Sequence, residues 1–363
     1  AIVFQPKNMR FRAVPVLTNT VPKGAQRGPG ENQASNMLEP LLDKAARELG
    51  IDRVALRKIN APGNGGKDAK YGPKQGPVTS AYLKEALEKG AKQFDWDKRS
   101  KYSGKRVGNK VKAIGVGQAY HTAGYNGFDG LCRITPDGIL HIHTGVGNLG
   151  TFSYASTSRV CAEVLGYDWE RCVIERGGTR KHIPFNIGQF GSNTTFTMSR
   201  TNYAAGMAAK ELLLEIAAKS LGGKSEDYKL ENEFVVSISN GSNKISFADC
   251  AKKAIEMGGK YSGMETPEDI NPFTKSAVGG IKGTGLVGVA KDKIPKTAAV
   301  PALSASFIEI ELDLETGKYQ ILDYLGVADC GTVMHPTGLA AQIRGGAVMG
   351  FGLAATERHV YDP

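Results

Sequence analysis

The chain has 363 residues, 41% of them apolar, and a formal net charge of +10, which is ample for a sizeable core and excludes a disordered or low-complexity protein. No apolar run reaches the roughly 18 residues that span a bilayer, and the first residues show no signal-peptide pattern. The five cysteines (Cys132, Cys161, Cys172, Cys250, Cys330) stand singly, which excludes a zinc knuckle or an iron–sulfur ligand set and points to a reducing, cytoplasmic setting.

Ala1 is not an initiator Met, so a processed or partial chain is expected. From Glu31 to Gly50 the spacing predicts a helix: Met37, Leu38, Leu41, Leu42, Ala45 and Leu49 recur every three or four residues. Gly50 sits where a C-cap belongs, and Pro40 is expected near the first turn. APGNGGKDAKYGPKQGP, residues 61–77, is rich in Gly, Pro and Lys without an apolar period and reads as loop. The basic run 97–112 sets Lys98, Arg99, Lys101, Lys105, Arg106, Lys110 and Lys112 against Asp97 alone. With only Tyr102 for stacking, it predicts a solvated or subunit-facing loop, not a nucleic-acid platform. The division expected is residues 1–62 as one domain, 63–112 as a basic linker and 113–363 as a second domain.

Beyond the linker, GLCRITPDGILHIHTG places two alternating strands around Pro136, Asp137 and Gly138, a hairpin signal. Helices are predicted over 151–165, 201–221 and 247–257, a second hairpin about Glu315, Thr316 and Gly317, and a Gly-rich apolar helix over 339–357. Hairpin-rich mixed sheets with helices predict an α+β fold, not a series of parallel βαβ units.

HTGVGNLGTFSYASTSRVCAEVLG, residues 143–166, reads as a strand end, a glycine turn and a helix. Gly145 to Gly150 matches G-x-G-x-x-G, and Glu175 ends a following strand, as a dinucleotide fold requires. The strand before the turn is already the second arm of a hairpin, however, which argues against NAD. A second match, Gly283 to Gly288, is expected to be loop. A plain tight turn and a ligand-binding helix N-terminus both remain open on this motif. His141 and His143 alternate on one strand without a third ligand nearby and are expected to be packing or surface residues.

Three further glycine-flanked polar turns precede helices: TNTVPKGAQRGPGENQ (18–33), GQFGSNTTFTMSRTNYAAG (188–206) and DCGTVMHPTGLAAQIRGGAVMGFGLAATE (329–357). In that order the four stretches resemble the molybdopterin-binding large subunit of the xanthine dehydrogenase/aldehyde oxidase family. The resemblance spans about residues 13–60 and 114–362.

The resemblance implies a molybdopterin-binding domain architecture, with Arg27 and Gly28 beside the cofactor and Pro29 facing substrate where many relatives carry an aromatic. Gly147, Asn148 and Gly150 take the place of the family's pterin-binding GQG turn. Thr197, Met198 and Ser199 match the segment whose backbone amides reach metal and pterin, and Gln342 matches the pterin-binding glutamine; no side chain ligates the metal. The family's catalytic glutamate, its general base, has no match here, and Glu31 and Glu357 are expected to be helix-end or ion-pairing residues. The chain is therefore expected to be a fragment or one subunit of a split large chain.

The implied function is the molybdopterin-binding subunit of a molybdenum or tungsten hydroxylase acting on an aldehyde or heteroaromatic carbon. Its pterin is present with or without an added nucleotide, and other subunits carry the Fe–S clusters and FAD. A second molybdopterin-binding chain is a further expected partner. The alternatives are an NAD(P)-dependent dehydrogenase using the Gly145 to Gly150 turn and a basic, non-catalytic interaction subunit.

Overall fold

The computed structural model describes residues 3, 4, 8, 10, 12–21, 24–62, 70, 71 and 76–361; residues 63–69 and 72–75 of the predicted linker lie outside the described residues. The chain begins with α1 (Glu31–Leu49), α2 (Arg53–Ile59), β1 (Lys70–Tyr71), β2 (Gly76–Pro77), α3 (Leu83–Gln93), α4 (Trp96–Ser100), β3 (Arg106–Val107) and β4 (Lys110–Ala123). Next come β5 (Asp129–Ile134), β6 (Leu140–His143), α5 (Ser153–Leu165), β7 (Cys172–Glu175) and α6 (Thr194–Leu221). They are followed by β8 (Tyr228–Glu231), β9 (Phe234–Ser237), β10 (Lys244–Ser246), α7 (Phe247–Met257), α8 (Pro272–Gly279) and β11 (Leu286–Lys291). The last elements are β12 (Val300–Asp313), β13 (Tyr319–Asp329) and α9 (Pro336–Ala355).

These elements form two compact units, residues 1–123 with 297–363, and residues 124–296. The units interleave along the chain, unlike the predicted succession of 1–62, 63–112 and 113–363. Nor is the basic stretch simply linker. Leu83, Leu87, Phe94 and Trp96 belong to the core of the first unit, because α3 presents Leu83, Ala86, Leu87 and Gly90 on one buried face.

In the first unit the sheet order is β13-β12-β4-β3, all antiparallel. β4 and β12 pair along their whole length, from Val300 opposite Ala123 to Asp313 opposite Lys110. The period-two alternation puts Ile114, Val116 and Tyr120 of β4 and Leu303, Ala305 and Phe307 of β12 in the core. Phe307 packs against Phe94 (5.7 Å between centroids) and Trp96 (5.9 Å). It also explains a glycine inside a helix, since a Cβ on Gly90 would overlap the Phe307 ring.

The basic run leaves Lys98, Lys101, Lys105, Arg106, Lys110 and Lys112 exposed, as expected of a solvated stretch, while ion pairs and the buried Trp96 just before it anchor it to the first unit. Trp96 Nε1 donates to Asp52 Oδ2 (2.8 Å), and Arg99 pairs with Glu309 and Asp323, each at 2.7 Å. Lys110 pairs with Glu311. α1 ends at Gly50 in the left-handed region (φ 66) as its sequence implies, but Pro40 lies in mid-helix instead of the first turn.

In the second unit the sheet order is β11-β5-β6-β7. β5 and β6 form the predicted hairpin around Asp137 and Gly138, and Gly138 adopts φ 80. β6 and β7, however, pair in parallel through the α5 crossover, so the fold contains one βαβ unit that hairpin counting did not anticipate. The second glycine stretch becomes β11 from Leu286 onward, paired with β5. α6 lies directly on this sheet, where a Cβ on Gly130 of β5 would overlap the Thr201 carbonyl. Cys132, Ile134, Leu140, Ile142, Cys161, Leu165, Leu213 and Ile216 fill the layer between sheet and helices. β8, β9, β10 and α7 extend this core. No helix among the described residues is long and apolar enough to cross a membrane.

Candidate cofactor-binding site

Within the first unit, the fold brings Arg27 and Gln342 together across 315 residues. Arg27 Nη2 donates to the Gln342 carbonyl at 2.9 Å, and the guanidinium lies against Gly345 and Gly346 of α9. Gly28 holds φ 70, a conformation other residues rarely adopt, and its carbonyl accepts from the Glu31 amide (3.2 Å) at the start of α1. Asn32 Nδ2 donates to the Arg27 carbonyl (2.7 Å) and so fixes the turn from the helix side. α9 begins at Pro336, capped by His335, whose Nδ1 accepts the Gly338 amide at 2.9 Å.

Glu31 Oε1 stands 3.7 Å from His121 Nδ1, and the Glu357 carboxylate folds back over Gly352 at the end of α9.

Within the second unit, α5 and α6 pack in parallel. Asn202 Nδ2 donates to the Thr157 carbonyl (3.0 Å), and one turn further on Gly206 abuts Val164 and the Cys161 carbonyl. Both helices therefore start at the same end of the unit, which puts the Gly147 to Gly150 turn and Thr197 to Ser199 at that end. Gly147 and Gly150 have no atom within 4 Å of the place a Cβ would occupy, so the turn is open toward a ligand.

Two predicted roles change on inspection. α6 begins at Thr194, seven residues before the sequence suggested, so Thr197 donates its amide to Asn193 O (2.8 Å). Met198 and Ser199 are inside the helix, where amides are spent on the ladder. The amides left without a helical acceptor are those of Thr194, Thr195 and Phe196. The Ser199 side chain remains available: its Oγ is buried and has no hydrogen-bond partner among the described residues. Asn148, although exposed, turns its Oδ1 back to accept the amides of Gly150 (3.0 Å) and Phe152 (3.1 Å), so it shapes the turn.

One residue that sequence reasoning missed completes this turn. Gln189 Oε1 accepts the Leu149 amide at 2.5 Å, while its Nε2 donates to Thr151 Oγ1 and Ser153 Oγ, both at 2.8 Å. It lay in a quoted motif, GQFGSN, but the signal is its meeting with a turn 40 residues away.

The dinucleotide reading loses its acidic residue. Burial pushes the Glu175 carboxyl up, but hydrogen bonds from Lys181 (2.8 Å) and His141 (3.0 Å) outweigh this and hold it below the usual carboxylate range. A carboxylate so engaged is not presented to a ribose. His143 is buried, with Nδ1 on the Lys181 carbonyl at 3.0 Å, and burial lowers its pKa to about 4. Among the described residues no group of three or more His, Cys, Asp or Glu is placed to hold a metal ion.

An α+β protein with glycine-opened turns at helix starts, lined by hydroxyls and neutral amides, belongs to the class that holds a large cofactor with many hydrogen-bonding edges. A family model for the molybdopterin cofactor-binding domain matches residues 89–363, and a second model of the same description matches residues 2–61. The chain belongs to the molybdopterin cofactor-binding domain family.

It is 27% identical over 354 residues to a putative xanthine dehydrogenase molybdenum-binding subunit of Escherichia coli (strain K12), covering 95% of this chain and 43% of that protein. It is 25% identical over 361 residues to the nicotine 6-hydroxylase large subunit of Paenarthrobacter nicotinovorans, covering 95% and 41%. The chain thus spans about two fifths of the length of these curated relatives. Among solved structures the fold is similar to CO dehydrogenase from Oligotropha carboxidovorans (TM-score 0.73, 20% identity, 92% of this chain and 41% of that one). It is also similar to quinoline 2-oxidoreductase from Pseudomonas putida 86 (TM-score 0.72, 21% identity, 95% and 43%).

The residues present suit a molybdopterin bearing molybdenum. The open space over Gly147 and Gly150 and the unpartnered, buried Ser199 hydroxyl offer what a ligand of many acceptor and donor edges needs.

Proposed function

We propose that this chain is the molybdopterin-binding part of a molybdenum- or tungsten-dependent oxidoreductase that hydroxylates an aldehyde or heteroaromatic carbon with oxygen from water. The observation that carries this reading is the pair of family models over residues 2–61 and 89–363. The meeting of Arg27 with Gln342, both singled out by the motifs, supports it.

In the first unit the candidate binding residues are Arg27, Gly28 and Gln342, with Pro29 toward the substrate; in the second, taken by itself, they are Gly147, Gly150 and Ser199, with Asn148 shaping the turn and Thr197 and Met198 supporting it from within α6. When bound, the cofactor supplies the metal that accepts the two electrons released as a substrate C–H bond is oxidised. The residues of this chain bind and orient. Gly147 and Gly150 keep side chains out of the way, Asn148 and Gln189 hold the turn, and Ser199 offers its hydroxyl. These groups are neutral, so binding through them needs no change of protonation near pH 7.

A general base comes, on this reading, from a second molybdopterin-binding chain. Other subunits with Fe–S clusters and FAD carry the electrons away in a reducing compartment such as the cytoplasm. The word "subunit" in the names of several relatives supports a multi-chain assembly, and the five free cysteines support the compartment.

The test is isotopic. The chain purified with its companion polypeptides is supplied with aldehydes and N-heteroaromatics in ¹⁸O-labelled water. With an artificial electron acceptor present, product carrying the label from water is the expected result; label from O₂ overturns the reading.

A further inference from the structure

The network around Gln189 fixes more than the shape of the turn. A backbone N–H can only donate, so the Leu149 amide requires the oxygen of the Gln189 amide to face it. The NH₂ group must then face Thr151 and Ser153. An NH₂ group can only donate, so both hydroxyl oxygens are committed as acceptors toward Gln189.

The two hydroxyls lie 3.1 Å apart, and one of them donates to the other. That accounts for one hydroxyl hydrogen; the other is left to point out of the network. It does so at the start of α5, where the helix dipole favours an acceptor or an anion. The loop that carries Gln189 is shaped for this role, with Gly188, Gly191 and Ser192 all in the left-handed region (φ 99, 63 and 51). The Gly188 amide is held by Asn186 Oδ1 (3.1 Å), and Asn193 Nδ2 donates to the Phe190 carbonyl.

We propose that Gln189 is a positioning residue of the cofactor site, which leaves one hydroxyl of the Thr151–Ser153 pair as a hydrogen-bond donor toward an acceptor group of the bound cofactor. This rests on the molybdopterin reading given above. It assigns a function to a residue that touches the turn without belonging to it.

Gln189→Glu separates geometry from polarity. The carboxylate has the shape of the amide and still accepts the Leu149 amide, but it also accepts from both hydroxyls. It thereby consumes the free O–H and adds negative charge where an acceptor should sit. Gln189→Met removes all three bonds.

Full chains with their companions, purified from a host that makes the cofactor, are compared by pterin released per chain after oxidation and by hydrogen exchange of the Leu149 amide. The wild type is expected to hold pterin. Gln189→Glu should lose it about tenfold or more, the effect of one charge-assisted bond reversed, with Leu149 protected as in the wild type. Gln189→Met should lose both pterin and Leu149 protection. Wild-type pterin content in Gln189→Glu overturns the proposal, and so does a loss accompanied by faster exchange throughout residues 124–296. A wild type without pterin instead refutes the cofactor reading beneath it.

Discussion

Arg57 offers the sharpest test of the forces holding the first unit together. Its side chain is 0% exposed, and its guanidinium is satisfied by Glu39 Oε2 (2.9 Å), the Glu39 carbonyl (3.2 Å), the Arg53 carbonyl (3.1 Å) and Asp43 Oδ1 (2.8 Å). Glu39 Oε2 in turn accepts the Gln118 amide of β4 at 3.3 Å, so this group links α1, α2 and the sheet. Burial raises the Glu39 pKa, and Arg57 opposes that rise.

Arg57→Met keeps the aliphatic stem and removes the charge, leaving a largely buried carboxylate unpaired. Breaking such a pair from one side costs about 3–5 kcal/mol at pH 7.5. For a unit of this size that corresponds to a Tm lower by roughly 6–20 °C. The sign with pH follows from the direction of the Glu39 shift. A carboxyl whose folded pKa is raised contributes stability below its unfolded pKa and loses it as pH rises through the folded value. Without Arg57 that loss grows, so the deficit of the variant should shrink from pH 8 toward pH 5 as Glu39 takes up a proton. Trp96, buried against Phe307, reports on this unit when the other tryptophan is removed by Trp169→Phe. A Tm drop below about 3 °C, or one equal at pH 5 and pH 8, refutes the reasoning.

Four other outcomes are expected. His143 has a folded pKa of about 4 against an ordinary value near 6.5, so the second unit should lose stability as pH falls through that window, by up to about 3 kcal/mol. Melts followed by Trp169 should show this slope in the wild type and not in His143→Leu; parallel curves refute it. Gly130→Ala should destabilise the second unit by about 1–3 kcal/mol or more, because its methyl group meets the Thr201 carbonyl. Gly147→Ala, with open space around it, should change the Tm little, within about 0.5 kcal/mol, yet lower pterin content. Gln342→Ala should also release pterin, through loss of hydrogen bonds worth roughly 1–3 kcal/mol, and full occupancy in that variant removes Gln342 from the site.

Elements governed by local pattern were legible in the sequence. The apolar stripe of α1 with Gly50 at its end and the hairpins at Asp137–Gly138 and Thr316–Gly317 are each specified within about 20 residues of chain. What escaped depended on distant partners. Trp96 is buried by Asp52 and Phe307, and Arg99 pairs with Glu309 and Asp323 more than 200 residues away, so these two residues anchor a basic run whose lysines are exposed as expected. The start of α6 was read too late because Thr194, Thr197 and Thr201 look like a polar turn. They are buried, and the hydroxyls of Thr197 and Thr201 bond to Asn193 Oδ1 and the Met198 carbonyl within the helix.

The motifs located the cofactor turns, but not how they are satisfied. Asn148, placed in the pterin-binding turn by the resemblance, spends its oxygen on Gly150 and Phe152, and Gln189 carries no local signal of its bond to the Leu149 amide.

The central claim is that this chain holds a molybdopterin. It is tested most directly by measuring molybdenum, tungsten and oxidised pterin per chain in protein purified with its companions from a cofactor-producing host. Pterin and metal in about one-to-one ratio to the chain, falling together in Gln342→Ala, is the expected result. Protein that is folded and assembled yet carries neither pterin nor metal contradicts it.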